Sequence, residues 1–159
     1  MSEAGNTTRT GQTGLPHAAA VLAYAGALPP IIGALLVWLR PADLGVNATQ
    51  FLLIYGGALI VFFGGVRWGV AVMRPDGPSF YSLLGGVIPL LMAFPVFMLD
   101  DAFTRFLIVI VALPVLLWDD LRATRRGSGA PDWYLGVRTP LTILMTVSFL
   151  LAFLKIATA

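Results

Sequence analysis

Arg67 is the residue whose type and position most need a chemical explanation, because it lies inside an apolar segment. It precedes Arg74, where that segment ends, by seven positions, so a helix would hold it about 10 Å from the boundary. An arginine at membrane depth costs between about 3 and more than 10 kcal/mol, and by default it suggests a function. Three roles stay open: snorkelling to the lipid headgroups, a structural ion pair and a ligand contact.

Carboxylates that could pair with Arg67 lie near the ends of two later apolar segments. Asp119 and Asp120 follow one segment, and Asp132 precedes the last one. An Arg–carboxylate pair would fasten two helices together, whereas Asp132 also has a simpler role open to it as the N-cap of the last helix. The predicted cluster, for ligand binding or for a structural ion pair, consists of Arg67, Trp68, Asp119, Asp120, Asp132, Trp133 and Arg138.

The other polar residues exclude most catalytic chemistry. The sequence has no cysteine, which rules out disulfides, thiolate metal sites and cysteine nucleophiles. Its one histidine, His17, is too few for a bis-histidine haem or a histidine-based metal site. No Asp or Glu lies in the middle of an apolar segment, where a proton relay would need one. We therefore predict no metal site, no cofactor and no enzymatic activity.

The composition indicates an integral membrane protein. Of the 159 residues, 58% are hydrophobic and only 11% are charged, against about 25% charged in a typical soluble domain. The mean hydropathy is +0.86. The small positive net charge of +2 is expected to record topology, since Lys and Arg in membrane proteins mostly do so, and it predicts no nucleic-acid partner.

Five stretches are long and apolar enough to cross a bilayer as helices. They cover 17–39, 49–73, 80–99, 102–118 and 133–157. The alternating pattern of a membrane β-barrel is absent from the sequence. We predict an all-α five-helix bundle, with 16–159 as one transmembrane domain and 1–15 as a disordered polar tail.

Basic residues predict the orientation of this bundle. With five spans, one side would hold six basic residues, Arg9, Arg74, Arg122, Arg125, Arg126 and Arg138. The other side would hold three, Arg40, Arg105 and Lys155. Because cytoplasmic loops carry the excess of Lys and Arg, the N-terminus is expected in the cytoplasm and the C-terminus outside.

Glycines in the second span predict where helices approach closely. Gly57 and Gly64 are seven residues apart and share a face, while Gly65 and Gly69 form a GxxxG motif. In lipid, small residues allow the close backbone contact that holds helices together. Packing within the bundle, with this span at the centre, is the simpler expectation, and self-dimerisation through the GxxxG motif is the alternative.

Several blocks of the sequence resemble one family of unknown function. The most specific is Gly64-Gly65-Val66-Arg67-Trp68-Gly69, and shorter blocks are Leu22–Pro29, Tyr55–Ala58, Pro131–Tyr134 and Val137-Arg138. Together they cover roughly 20–155 and resemble the DUF3429 family of transmembrane protein 69-like membrane proteins. The resemblance implies a small protein of about five helices in a bacterial inner membrane, or in the mitochondrial inner membrane if the source is eukaryotic. It implies no reaction and no ligand.

Two functions of different kinds fit these observations. The first, which the sequence favours slightly, is a non-catalytic accessory or assembly partner of a larger membrane complex, suggested by the small size, the glycine-rich helix and the lack of catalytic side chains. The partners would be the lipid bilayer, other membrane-protein subunits or a second copy of the chain. The alternative is a protein that binds or transports a lipid, a tetrapyrrole or another amphipathic anion at the Arg/Trp cluster. The absence of a transit-like N-terminus favours a bacterial protein.

Overall fold

The computed structural model describes residues 17–39, 42–127, 130 and 132–158, and at 42–44 and 132 it describes the backbone alone. The predicted tail, 1–15, lies outside the described residues. These residues form six α-helices: α1 (His17–Ala25), α2 (Leu28–Leu39), α3 (Ala42–Val72), α4 (Phe80–Met98), α5 (Ala102–Arg125) and α6 (Asp132–Ala157). With α1 and α2 taken as one span, five spans are long and apolar enough to cross a membrane. The predicted all-α five-span architecture is confirmed.

The first span is broken where the sequence has Pro29-Pro30. Gly26 and Ala27 form a turn between α1 and α2. Pro30 has no N–H, so the carbonyl of Gly26, four residues earlier, lacks its helical donor. The Tyr55 hydroxyl on α3 donates a hydrogen bond to that carbonyl, with an O–O distance of 2.6 Å. A side chain from another helix thus satisfies the acceptor that the proline leaves unpaired.

Two helices extend beyond the predicted spans. The span predicted at 49–73 begins seven residues earlier, at Ala42, and the span predicted at 102–118 continues to Arg125. Hydropathy alone predicts that the second of these helices ends before Asp119. In the structure Asp119 and Asp120 are helical, and Arg122 and Arg125 occupy the last turn. Cations near a helix C-terminus are favourable, so the polar sequence prolongs the helix. The connection between α5 and α6 is therefore shorter than the interval between the predicted spans 102–118 and 133–157.

Polarity in the bundle is arranged as a membrane environment requires. The largest fully buried side chain is Arg138, and Arg105, Asp120, Thr142 and Ser148 are also buried. Large apolar side chains are exposed along every span, among them Leu22, Ile54, Phe62, Phe94 and Leu151. Apolar side chains can face lipid at no cost, whereas polar ones must find partners inside.

α3 is the central helix, as the sequence predicts. It packs against α2, α4 and α5, while α6 packs against α2 and α5, and α1 contacts α2 and α6. α3 and α6 are not closely packed on each other. At one end of the bundle α3 and α5 finish and α4 and α6 begin; we call it the arginine-rich end, because Arg74, Arg122, Arg125 and Arg126 lie there.

Candidate functional site

An ion-pair network joins α3, α5 and α6 near the arginine-rich end. The Nη2 atom of Arg67 lies 2.6 Å from Oδ2 of Asp119, and its Nε lies 3.6 Å from Oδ1 of Asp120. The other oxygen of Asp120 accepts a hydrogen bond from Nε of Arg138 at 3.1 Å. Of the three roles open to Arg67, the structure shows an ion pair. Asp120 bridges two arginines, so the network fastens three helices together.

Exposure falls steeply across this network. The Asp119 side chain is 49% exposed and that of Arg67 is 16% exposed, whereas those of Asp120 and Arg138 are 3% and 1% exposed. Two arginines face two carboxylates, so the described part of the network is electrically neutral. Neutrality is what lets charged groups remain in a region from which water is excluded, because an unpaired buried charge is very costly.

Neighbouring residues complete the surroundings of Arg138. Its Nη1 donates a hydrogen bond to the Thr142 hydroxyl, which in turn donates to the Arg138 carbonyl at 2.8 Å. The guanidinium carbon lies 3.3 Å from the centre of the Phe63 ring, a cation–π contact. The Tyr134 hydroxyl donates to Asp120 at the longer distance of 3.4 Å. Nη2 of Arg138 is buried and has no hydrogen-bond partner among the described residues.

Sequence reasoning missed Tyr134, Thr142 and Phe63. A signal for the first two was present, because Tyr134, Arg138 and Thr142 are spaced by four and therefore form one stripe along α6. Phe63 lies four residues before Arg67 on α3 but contacts the arginine of a different helix, which no spacing in the sequence indicates.

A glycine on α4 makes room for Arg67. A Cβ at Gly85 would lie 3.0 Å from Nη2 of Arg67, tighter than nearly all real Cβ contacts. The guanidinium therefore passes across the backbone of α4 on its way to Asp119.

Other members of the predicted cluster lie elsewhere or cannot be placed. Trp68 is 44% exposed, with its Cβ beside Gly86 of α4. Trp133 lines a groove described below. Asp132 is the first residue of α6, but its side chain lies outside the described part of the chain. Among the described residues, no three His, Asp or Glu side chains are grouped so that they could hold a metal ion.

Arg105, which the sequence analysis counted only among the basic residues of the outer side, is buried at the other end of the bundle. Its Nε donates to the Val96 carbonyl at 2.6 Å, and its Nη1 donates to Oε1 of Gln50 at 3.1 Å. Val96 lies in the last turn of α4, where carbonyls have no helical donor. Arg105 therefore caps α4 and ties it to α3 and α5.

A groove of about 530 Å³ lies beside the network, between α1, α3 and α6. It forms where α3 and α6 are not packed on each other. Two lining residues, Leu22 and Phe62, are 74% and 62% exposed, so the groove opens towards the lipid. The lining residues with polar side chains are Tyr55, Trp133, Tyr134 and Arg138. From Trp133 to Met145 it extends about 18 Å along α6.

The four predicted packing glycines divide into two pairs. A Cβ at Gly57 would lie 2.6 Å from the Phe97 ring, and one at Gly64 would lie 2.8 Å from Pro89 and 2.9 Å from the Gly86 carbonyl. These two glycines hold α4 against α3. Gly65 and Gly69 have no described atom within 4 Å of an added Cβ, so the GxxxG pair faces away from the bundle.

The chain is similar to known proteins named transmembrane protein 69. Transmembrane protein 69 of Xenopus tropicalis is 31% identical over 97 residues, covering 59% of this chain and 37% of the relative. Transmembrane protein 69 of Mus musculus is 25% identical over 138 residues, covering 84% of this chain and 54% of the relative. The chain thus spans about half the length of these relatives or less. No solved structure matches it significantly.

The family described as "Protein of unknown function (DUF3429)" matches residues 15–154. That range contains the ion-pair network, the groove, four of the five spans and all but the last three residues of the fifth. The chain therefore belongs to the DUF3429 family of multi-pass membrane proteins.

Proposed function

We propose that this protein binds one amphipathic molecule in the groove between α1, α3 and α6, without catalysing a reaction on it. The observation that carries the proposal is the groove itself, whose volume of about 530 Å³ lies within the roughly 300–1,000 Å³ typical of small-molecule sites. The ligand class is the one that the sequence suggested as its alternative: a lipid, a tetrapyrrole or another amphipathic anion.

The chemistry of the lining supports this ligand class. The apolar part of such a ligand fits against α1 and α3, where Ala23, Leu59 and Phe62 line the groove. A polar group fits at the arginine-rich end, where the buried Nη2 of Arg138 has no other described partner. Arg67 is committed to Asp119 and Asp120, so the proposal gives the ligand contact to Arg138 and a structural role to Arg67.

A groove-filling substitution tests the proposal. Ala58 lines the groove and is exposed, so Ala58→Phe fills the space without disturbing the core. Ile54→Phe is the matched control, because Ile54 lies one turn away on α3, is 56% exposed and does not line the groove. Both variants and the wild-type chain would be purified from native membranes in mild detergent, and the retained small molecules would be identified by mass spectrometry.

We expect the wild type and Ile54→Phe to retain the same compound in similar amounts. Ala58→Phe should retain at least about tenfold less, since bulk in a filled pocket excludes a ligand that buries most of its surface there. A wild-type protein that carries nothing beyond bulk lipid, or a compound retained equally by Ala58→Phe, would contradict the proposal.

A second candidate is the accessory role in a larger complex, which the outward-facing GxxxG pair favours. A partner helix can approach closely at Gly65 and Gly69, since neither is covered within the described bundle. We propose another membrane subunit as the partner. Gly65→Ile should release co-purifying subunits, while Gly45→Ile, at another uncovered glycine of α3, should not. Retention by both variants would exclude this surface, and loss of a dimer alone would indicate a second copy of the chain.

The proposed site of action is an inner membrane. This is the bacterial plasma membrane, or the mitochondrial inner membrane in a eukaryote. Support comes from the family resemblance and from the excess of arginine at one end of the bundle, which is typical of proteins oriented by the positive-inside rule.

A further inference from the structure

A second cavity, of about 420 Å³, lies at the arginine-rich end between α3, α4 and α5. Its charged lining consists of Arg67, Arg74, Arg122, Arg126 and Asp119. Four arginines against one carboxylate leave a surplus of three positive charges. Asp119 is already engaged by Arg67 at 2.6 Å, so Arg74, Arg122 and Arg126 account for the surplus.

The beginning of α4 also lines this cavity, where the Ser82 N–H donates to the Ser79 hydroxyl and the Ser82 hydroxyl donates to the Ser79 carbonyl. Ser79, Tyr81 and Ser82 line it, and Ser79 is the N-cap of α4. The first turn of a helix carries backbone N–H groups without helical acceptors and the positive end of the helix dipole. A helix N-terminus beside several arginines is a favourable environment for a phosphate group.

The depth of the cavity indicates which phosphates can reach it. Its residues lie where α3 and α5 end and α4 begins, which is the level of lipid headgroups for helices that span a bilayer. Arg122 and Arg126 are exposed there. Clusters of basic residues directly beyond a span are typical of anionic-lipid binding.

We propose that this cavity binds a phosphate group. Arg74, Arg122 and Arg126 supply the charge, and the positive end of the α4 helix dipole adds to it. The phosphate comes from an anionic phospholipid headgroup or from a soluble phosphate, and the site is separate from the groove between α1, α3 and α6. Binding at this cavity therefore depends on the anionic lipid or soluble phosphate around the protein, and it does not depend on the ligand in the groove.

Two adjacent arginines provide a matched test. Arg126 lines the cavity and Arg125 does not, although both are exposed and carry the same charge. The full chain, as wild type, Arg126→Gln, Arg125→Gln and Arg74→Gln/Arg126→Gln, would be placed in nanodiscs. Binding of phosphatidylglycerol against a phosphatidylcholine background would be measured by native mass spectrometry. Inorganic phosphate would be titrated by calorimetry into phosphatidylcholine nanodiscs.

We expect Arg126→Gln to weaken binding about fivefold and the double variant about thirtyfold, with Arg125→Gln close to wild type. If the effect appears for phosphatidylglycerol, the phosphate belongs to a lipid, and if it appears for inorganic phosphate, the ligand is soluble. Equal effects of Arg125→Gln and Arg126→Gln on both probes, or no binding of either probe by the wild type, would overturn the proposal. Ala58→Phe serves as a further control and should leave phosphate binding unchanged, since Ala58 lies in the other cavity.

Discussion

At the scale of single residues, the arginines of this protein differ in how completely they are compensated. Arg138 is almost fully buried and depends on Asp120, whereas Arg67 divides its contacts between Asp119 and Asp120. Adjacent carboxylates thus have unequal roles, because one lies inside the bundle and the other at its surface. Burial, rather than the number of ion pairs, decides what each carboxylate contributes.

This difference predicts unequal effects of two neighbouring substitutions. Asp120→Asn leaves the buried charge of Arg138 without its counter-ion and should reduce the free energy of unfolding by about 3–5 kcal/mol. Asp119→Asn removes a half-exposed partner and should cost about 1 kcal/mol or less. Thermal unfolding of both variants in the same detergent measures the difference, and equal losses would contradict the assignment of Asp120 as the buried bridge.

The residues of the network were only partly predictable from the sequence. If an arginine inside an apolar span is paired, topology limits its partners to residues at the same end of the bundle, which led to Asp119, Asp120 and Asp132. The pairing itself depends on which faces α3, α5 and α6 turn to one another, and hydropathy does not encode that. Arg105 was predicted near the start of the span 102–118, but it was counted only as a topology signal. Its bonds to the Val96 carbonyl and to Gln50 depend on the packing of α5 against α4 and α3, which hydropathy does not encode.

At the scale of elements, α3 and α4 are the most closely packed pair of helices in the described bundle, and glycines allow their close approach. Gly64 and Gly86 lie across from each other, where an added Cβ on either would come within about 3 Å of the other helix. Gly65, the next residue and about 100° further around α3, is uncovered. Gly64 therefore permits close packing of α4 on α3, whereas Gly65 is not in contact with another helix of the described bundle.

Alanine substitutions at Gly64 and Gly65 should therefore have different effects on stability. Gly64→Ala forces a methyl group against Pro89 and the Gly86 backbone, so α4 must shift, at a cost of about 1–3 kcal/mol. Gly65→Ala meets no described atom and should be neutral or stabilising, since alanine favours helix more than glycine does by up to about 1 kcal/mol. Melting temperatures in detergent give the comparison. A Gly64→Ala protein as stable as the wild type would mean that the two helices are not held by this contact.

Element boundaries were the least predictable part of the fold. Apolar length located five spans, because the thickness of a bilayer fixes the length that a helix needs. It missed the start of α3 and the end of α5, where helix continues through polar sequence. The break between α1 and α2 follows from Pro29-Pro30. The hydrogen bond from Tyr55 to the Gly26 carbonyl joins residues 29 positions apart, and no local pattern predicts it.

At the scale of the whole molecule, the arginine-rich end predicts an orientation in the membrane. Arg74, Arg122, Arg125 and Arg126 all lie where α3 and α5 finish, and Lys155 lies at the other end in the last turn of α6. The positive-inside rule therefore predicts that the arginine-rich end faces the cytoplasm.

The absence of cysteine makes this orientation simple to measure. Asp76→Cys introduces one thiol between α3 and α4, and Thr158→Cys introduces one just beyond α6. For the protein in a bacterial plasma membrane, a membrane-impermeant maleimide should label Thr158→Cys in intact spheroplasts and Asp76→Cys only after permeabilisation. The reverse labelling would place the arginine-rich end outside and would contradict the predicted topology.

The bridge formed by Asp120 also has a consequence for how the protein is made. The charges of the network emerge from the ribosome in the order Arg67, then Asp119 and Asp120, then Arg138. When α3 enters the bilayer its arginine has no counter-ion from the network, and once α5 has entered the carboxylates exceed the arginines. Only the arrival of α6 restores neutrality, so a chain truncated before Arg138 carries an uncompensated carboxylate near the membrane, where an unpaired charge is costly.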